Sequence, residues 1–279
     1  MHDCRFCAAT AAPWNARRGF LLAAAASASA PALAQVNVGG ASMVRNLVPA
    51  ERLEQSATQQ YSQLLAQARA KGALAPEGDP QLRRLHAIAR RLIPYAVQWN
   101  PRASGWRWEV NLIGSKQINA FCMPGGKIAF FTGILDQLKL TDDEVAMVMG
   151  HEMAHALREH ARERLAKTQA TGLGLSLGAQ LLGLGDIGNM AANLGTQLLT
   201  LKFSRSDESE ADLVGLELAA RAGFNPQAAV SLWRKMGEAT GGQAGTAFLS
   251  THPSGPDRIR ELERNVPKVE GLYRAARKS

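Results

Sequence analysis

His151-Glu152-Met153-Ala154-His155 constrains this chain more than any other stretch. The two histidines are four residues apart, so on a helix their imidazoles share one face, one turn apart. Such a pair can hold one zinc ion, and the glutamate between them lies where it can take a proton from a water polarised by the metal. The reading requires a helix, and the flanking residues supply one. Thr141-Asp142-Asp143-Glu144 has the form of a capping box, with Thr at the N-cap, Glu at N3 and acidic side chains where the helix dipole favours them. Val145, Ala146, Met147, Val148 and Met149 follow as an apolar turn. The histidines therefore ride on a helix that enters the core, where a buried imidazole needs a partner.

A catalytic zinc takes three protein ligands and leaves one position for water. A metzincin would place Gly at 158 and His at 161; Arg158 and Ala161 exclude that class. His160 comes five residues after His155, which on a continuous helix turns it about 140° away. It is expected to be a solvated or second-face histidine and not a ligand. The stretch Ser204 to Asp212 offers carboxylates instead, because Glu208 and Asp212 are again four apart and share a face. Glu208 can bind a metal, while Asp212 can accept the second N–H of a ligand histidine and fix its tautomer.

Taken together, HEMAHALREH, FSRSDESEADLVG and THPSGPDRI resemble the gluzincin metallopeptidases of the HtpX-like, BepA-like and LoiP-like group, family 48 of the metallopeptidases. Asn119-Ala120-Phe121-Cys122-Met123-Pro124-Gly125-Gly126-Lys127-Ile128 is similar to that family's N-A-F-x-x-P-G-G-x-I segment. The resemblance covers residues 80 to 266. It implies zinc ligands His151, His155 and Glu208, one ion per chain, with Glu152 as general base and Asp212 orienting a ligand, His151 for preference. It also implies that His252 either stabilises the oxyanion or caps the zinc at rest, with Arg258 in a supporting catalytic role. With no repeats after the peptidase segment, the chain looks like the compact LoiP-like members.

Residues 1–34 read as a signal peptide. Arg17-Arg18-Gly19-Phe20-Leu21-Leu22 precedes an Ala-rich run and Ala32-Leu33-Ala34, which supplies a basic region, an apolar region and an A-x-A-like cleavage site. The paired arginines resemble a twin-arginine export signal, although a Sec signal has the same three-part form. Cys4 and Cys7 fall in that segment, leaving Cys122 alone and no internal disulfide. Without residues 1–34, which hold Arg5, Arg17, Arg18 and Asp3, the net charge falls from +8 to +6. A basic surface favours contact with anionic membranes or acidic partners. No basic run interleaved with aromatics points to nucleic acid.

Residues 35–80 are read as an N-terminal helix over 45–72 and a linker, and 81–279 as the zinc metallopeptidase domain. Leu82, Leu85, Ile88, Ala89, Leu92 and Ile93 have helical spacing. Strands are expected at 106–110, 118–121 and 127–131, with Trp106 and Trp108 packed in the core. Lys127, Ile128, Ala129 and Phe130 are expected to pair with an extended substrate backbone. The Gly-, Leu- and Ala-rich residues 170–200 contain Gln180, Asp186, Asn189, Asn193 and Gln197, which interrupt every stretch long enough to span a membrane. They are read as a packed or mobile helical segment near the cleft. Asn225-Pro226 opens another helix, and residues 240–257 are read as a loop carrying His252. The expected fold class is α+β, a mostly helical zincin of the gluzincin type with a small β-sheet edging the active-site cleft. The expected function is a periplasmic zinc-dependent endopeptidase that removes misfolded or unassembled envelope and outer-membrane proteins. The alternative is a chaperone-like envelope assembly factor whose zinc site is structural or latent.

Overall fold

The structure is a computed structural model, and it describes residues 36–170, 201–239, 247–252 and 257–278. Residues 1–34, read above as a signal peptide, and most of the Gly/Leu-rich stretch at 170–200 lie outside the described residues. In chain order the elements are α1 (Ala50–Ala70), α2 (Pro80–Leu92), β1 (Glu109–Ile113), β2 (Ala120–Met123), β3 (Lys127–Phe131), α3 (Thr132–Leu138), α4 (Asp142–Leu157), α5 (His160–Ala170), α6 (Arg205–Arg221), α7 (Ala228–Ala239), α8 (Ala247–Thr251) and α9 (Asp257–Ala276). Helices dominate around a small three-stranded sheet, so the α+β zincin reading holds. No helix among the described residues is long and apolar enough to cross a membrane.

The capping box forms as read. Thr141 Oγ1 accepts the Glu144 N–H at 3.3 Å, and Glu144 Oε2 accepts the Thr141 N–H at 2.8 Å. Glu144 then does more than cap. Its carboxylate takes Lys235 Nζ at 2.7 Å and the Ser231 hydroxyl at 2.8 Å, tying the start of α4 to α7. Burial opposes ionisation of Glu144, but Lys235, the Thr141 backbone and Ser231 outweigh it and hold the carboxyl below its ordinary pKa. Glu144→Ala should therefore cost about 1–3 kcal/mol of stability at pH 7. Because the folded pKa is depressed, that increment is present above the unfolded carboxyl pKa of about 4.3 and fades as pH falls through the folded value. Denaturant melts of both metal-free proteins at pH 7 and in acid would check it; an equal difference at both pH values would refute the electrostatic part.

From Glu144 to Leu157 every residue of α4 is buried, so the helix has no solvent face. One side packs on α6, and α2, α7 and β2 cover the others. The closest approach is at two glycines. A Cβ on Gly215 would lie 2.6 Å from His151 N, and one on Gly150 would lie 2.9 Å from Gly215 O. Only the lack of side chains lets the two backbones meet at this crossing. α9 packs on the far side of α6.

The sheet order is β1-β3-β2, with β1 parallel and β2 antiparallel to β3. This corrects the expected substrate strand. Lys127, Ile128, Ala129 and Phe130 form the central strand, are all buried, and have their backbone groups committed to neighbours on both sides. Lys127 Nζ is also taken, by Glu109 Oε1 at 2.7 Å and Arg107 O. Among the described residues β1 is bridged on its outer side by Leu74 opposite Ile113, and the open edge is that of β2. Gly126 N–H closes a turn onto Met123 O at 3.2 Å, with Pro124 in the second position and Gly125 at φ +84, the geometry of a type II turn.

α1 covers the other face of the sheet through Ala57, Tyr61 and Ala68. The expected helix over 45–72 is split, because Pro49 forces Val48 into an extended conformation. Residues Met43–Leu47 form a separate 3₁₀ turn, and Leu47 is 57% exposed. Strand β1 starts three residues later than expected, and Trp106 and Trp108 precede it half-buried against the core, Trp106 donating to Glu54 Oε1 at 3.0 Å. The expected loop at 240–257 contains a short helix, α8; its remaining residues, apart from His252 and Asp257, lie outside the described set.

Candidate metal centre

Three elements deliver the site. α4 carries His151 and His155, α6 carries Glu208 and Asp212, and His252 follows α8. His252 is placed by its own N–H, which bonds Phe248 O at 2.8 Å, and Phe203 N–H bonds Thr251 O at 3.1 Å. One ligand atom from each of His151, His155, Glu208 and His252 lies within 4.8 Å of the others, and all four residues are buried. His151 Nε2 is 3.1 Å from His155 Nε2 and 3.3 Å from His252 Nδ1. Glu208 lies 3.5 Å from His151 Nε2, 3.4 Å from His155 Nε2 and 3.0 Å from His252 Nδ1.

The donor set fits a dication. Asp212 Oδ1 lies 3.0 Å from His151 Nδ1, and an ionised carboxylate only accepts, so that nitrogen carries the proton. His151 Nε2 then presents a lone pair to the cluster. Glu152 Oε1 is buried without a hydrogen-bond donor, and Glu208 Oε2 faces the histidines with the Arg258 guanidinium beside it at 2.9 Å. Lone pairs from imidazoles and carboxylates facing one another in a dry space call for a cation, and three nitrogens with one oxygen suit zinc. The cofactor is accordingly zinc, and His151, His155, Glu208 and His252 form the group that could hold it.

The electrostatics agree. Burial alone would neutralise Glu208, but hydrogen bonds from the three histidines hold it well below the usual carboxylate range. Burial disfavours a charged His151, yet Asp212 and Glu208 outweigh it and raise its pKa to about 9 among these side chains alone. Surroundings that favour a proton there favour a metal ion in its place. Burial pushes His155 well below its ordinary value. Burial also raises Glu152, only partly offset by His252 and His151.

Arg258 sits behind the ligands. It bonds Asp212 through Nε and through Nη2 at 2.8 Å, pairs with Glu208 Oε2 at 2.9 Å, and lies over the Trp233 ring at 3.5 Å. Its place is beside the carboxylates of Asp212 and Glu208, whereas His252 and Glu152 line the cleft together with His155, Phe203 and strand β2. His252 Nε2 is 3.6 Å from Glu152 Oε1.

Two features escaped the sequence. His160 is neither solvated nor turned away: it is 3% exposed, and its Nδ1 lies 2.9 Å from His155 Nδ1. The reason is a helix break. α4 ends at Leu157, Glu159 adopts φ +60, and α5 restarts at His160. A glutamate carries no signal for a left-handed conformation, so spacing alone could not find this. The second is aromatic support, with Phe203 stacked on His155 at 3.9 Å and Phe248 on His252 at 4.4 Å between ring centroids.

Comparison with known proteins follows the same lines. The model of Peptidase family M48 matches residues 80–266. A mitochondrial metalloendopeptidase OMA1 of Schizosaccharomyces pombe is 36% identical over 220 residues, covering 75% of this chain and 62% of that protein. Metalloprotease LoiP of Escherichia coli is 27% identical over 213 residues, covering 72% of this chain and 77% of LoiP. A Vibrio cholerae protein named as a putative beta-barrel assembly-enhancing protease is 30% identical over 174 residues, covering 57% of this chain but 35% of that protein.

Proposed function

Because the chain belongs to peptidase family M48, we propose that it is a zinc-dependent endopeptidase that cleaves misfolded or unassembled proteins of the bacterial envelope. One observation carries the catalytic part. Glu152 is a buried carboxylate with a free oxygen, one residue from a ligand and open to the same cleft as His155 and His252. A purely structural site has no need of such a base.

Bound zinc supplies Lewis-acid polarisation of the scissile carbonyl and acidifies water. Glu152, whose proton affinity burial raises, accepts the proton of the attacking water and passes it to the leaving amine. His252 stands across the cleft from Glu152 and offers an N–H to the developing oxyanion. Asp212 and Arg258 hold His151 and Glu208 in place, which keeps reorganisation small.

Strand β2 takes over the role expected of β3. Phe131 N–H bonds Asn119 O, which makes 119–131 a hydrogen-bonded pair and leaves 120 and 122 with their polar backbone groups pointing out of the sheet. That edge lines the cleft, so an extended peptide can add to it with loose sequence preference. Substrates that are unfolded meet this requirement. LoiP and the Vibrio protein support an envelope setting, as does the leader-like segment at 1–34; the mitochondrial relative extends the family to an organelle.

The test is proteolysis of an unfolded protein such as reduced casein by the purified chain. Cleavage should stop with a zinc chelator and return on adding zinc. Cleavage indifferent to chelation would refute the mechanism, and zinc-loaded protein that binds casein without cutting it would favour the chaperone-like alternative. Fractionation of cells making the tagged chain tests the setting, which a cytoplasmic pool alone would refute.

A further inference from the structure

The two ligand histidines of α4 are backed differently. His151 leans on Asp212, a carboxylate the sequence announced. His155 turns its Nδ1 to another imidazole, that of His160, at 2.9 Å. We propose that His160 is a positioning residue that fixes the tautomer and ring orientation of His155, and hence the tightness of zinc binding. The proposal rests on the zinc site described above.

The tautomers follow from the geometry. His155 Nε2 faces the cluster, 3.4 Å from Glu208 and 3.1 Å from His151 Nε2, so it must carry the lone pair that a metal takes. Its proton is then on Nδ1, and the one nitrogen placed to accept it is His160 Nδ1. His160 must in turn carry its proton on Nε2. That nitrogen is buried without a hydrogen bond, with Glu210 Oε2 at 3.4 Å and Arg158 paired to the same carboxylate. The assignment at His155 fixes that at His160. A histidine free to hold either tautomer would present a proton to the metal part of the time; this arrangement removes that state.

The backbone is bent to make the contact. On a continuous helix residue 160 would point away from 155, but Glu159 sits in the left-handed region, at φ +60. Such a conformation costs a non-glycine residue about 1–2 kcal/mol. Ion pairs from Arg162 at 3.0 Å and Arg45 at 3.1 Å clamp the Glu159 carboxylate. Strain held at this point, with the restarted helix delivering an imidazole to a metal ligand, is the pattern of a functional constraint.

The test compares His160→Asn, whose side-chain oxygen can stand where Nδ1 stood, with His160→Leu, which fills the space without accepting a proton. Zinc dissociation constants are measured by competition with a chromophoric chelator, and Co²⁺-substituted spectra report ligand geometry. Leu should weaken zinc about 10- to 100-fold and alter the Co²⁺ bands, and Asn should recover most of the affinity, with circular dichroism unchanged in both. Leu with wild-type affinity, or Asn as weak as Leu in a folded protein, would overturn the proposal. If Leu does not fold, the Asn result alone decides it. Failure of the wild-type chain to bind zinc would instead sink the peptidase reading itself.

Discussion

Glu152→Gln is expected to keep zinc and the fold while slowing peptide hydrolysis by about 10²- to 10⁴-fold or more. The amide has the shape of the carboxylate but cannot take a proton from water. Among the described residues Glu152 Oε1 has no hydrogen-bond donor, and His252 Nε2 stands 3.6 Å from it. Burial already disfavours the ionised form, so the amide relieves a cost, and the melting temperature should hold or rise. Metal content, a melt and a casein assay on the same preparation separate these effects. Wild-type rates from the zinc-loaded Glu152→Gln protein would remove Glu152 from the mechanism; loss of zinc in that variant would show that the carboxylate holds metal instead.

The second large effect is expected at the backbone crossing behind His151. Gly215→Ala adds one methyl group, 2.6 Å from His151 N and 2.8 Å from Gly150 C. Both are main-chain atoms of a buried helix, so neither can swing aside. Alanine favours a helix by about 1 kcal/mol over glycine. Overpacking at a backbone crossing reverses that sign and costs about 1–3 kcal/mol, or more. Since α4 holds His151 and α6 holds Glu208, prying the helices apart also separates the ligands, and zinc affinity should fall about tenfold or more. Gly237 and Gly271 lie in helices where an added Cβ would meet nothing within 4 Å, so Gly237→Ala or Gly271→Ala should be neutral or stabilising. Gly215→Ala with undiminished stability and metal affinity would show that the crossing tolerates expansion.

What could be read from the chain was local. Thr141 and Glu144 announce a helix start, the spacing of 151 and 155 puts two imidazoles on one face, and 208 with 212 repeats the pattern; none of this depends on distant pairing. Placement of Lys127 to Phe130 did depend on it. A buried apolar strand reads alike at the centre or the edge of a sheet, and only its partners on both sides settle which it is. His160 was misplaced because the spacing argument assumed an unbroken helix through Glu159. Pro49 marks the point where the first helix restarts. α8 is five residues long, too short for any periodicity to register.

His252 closes the centre from a position 101 residues beyond His151. A ribosome must therefore have passed all three donor stretches before the cluster can be complete. A copy ending before residue 208 lacks the carboxylate, and one ending before 252 lacks the imidazole that faces Glu152. Order of synthesis thus keeps the centre unfinished until nearly the whole chain exists.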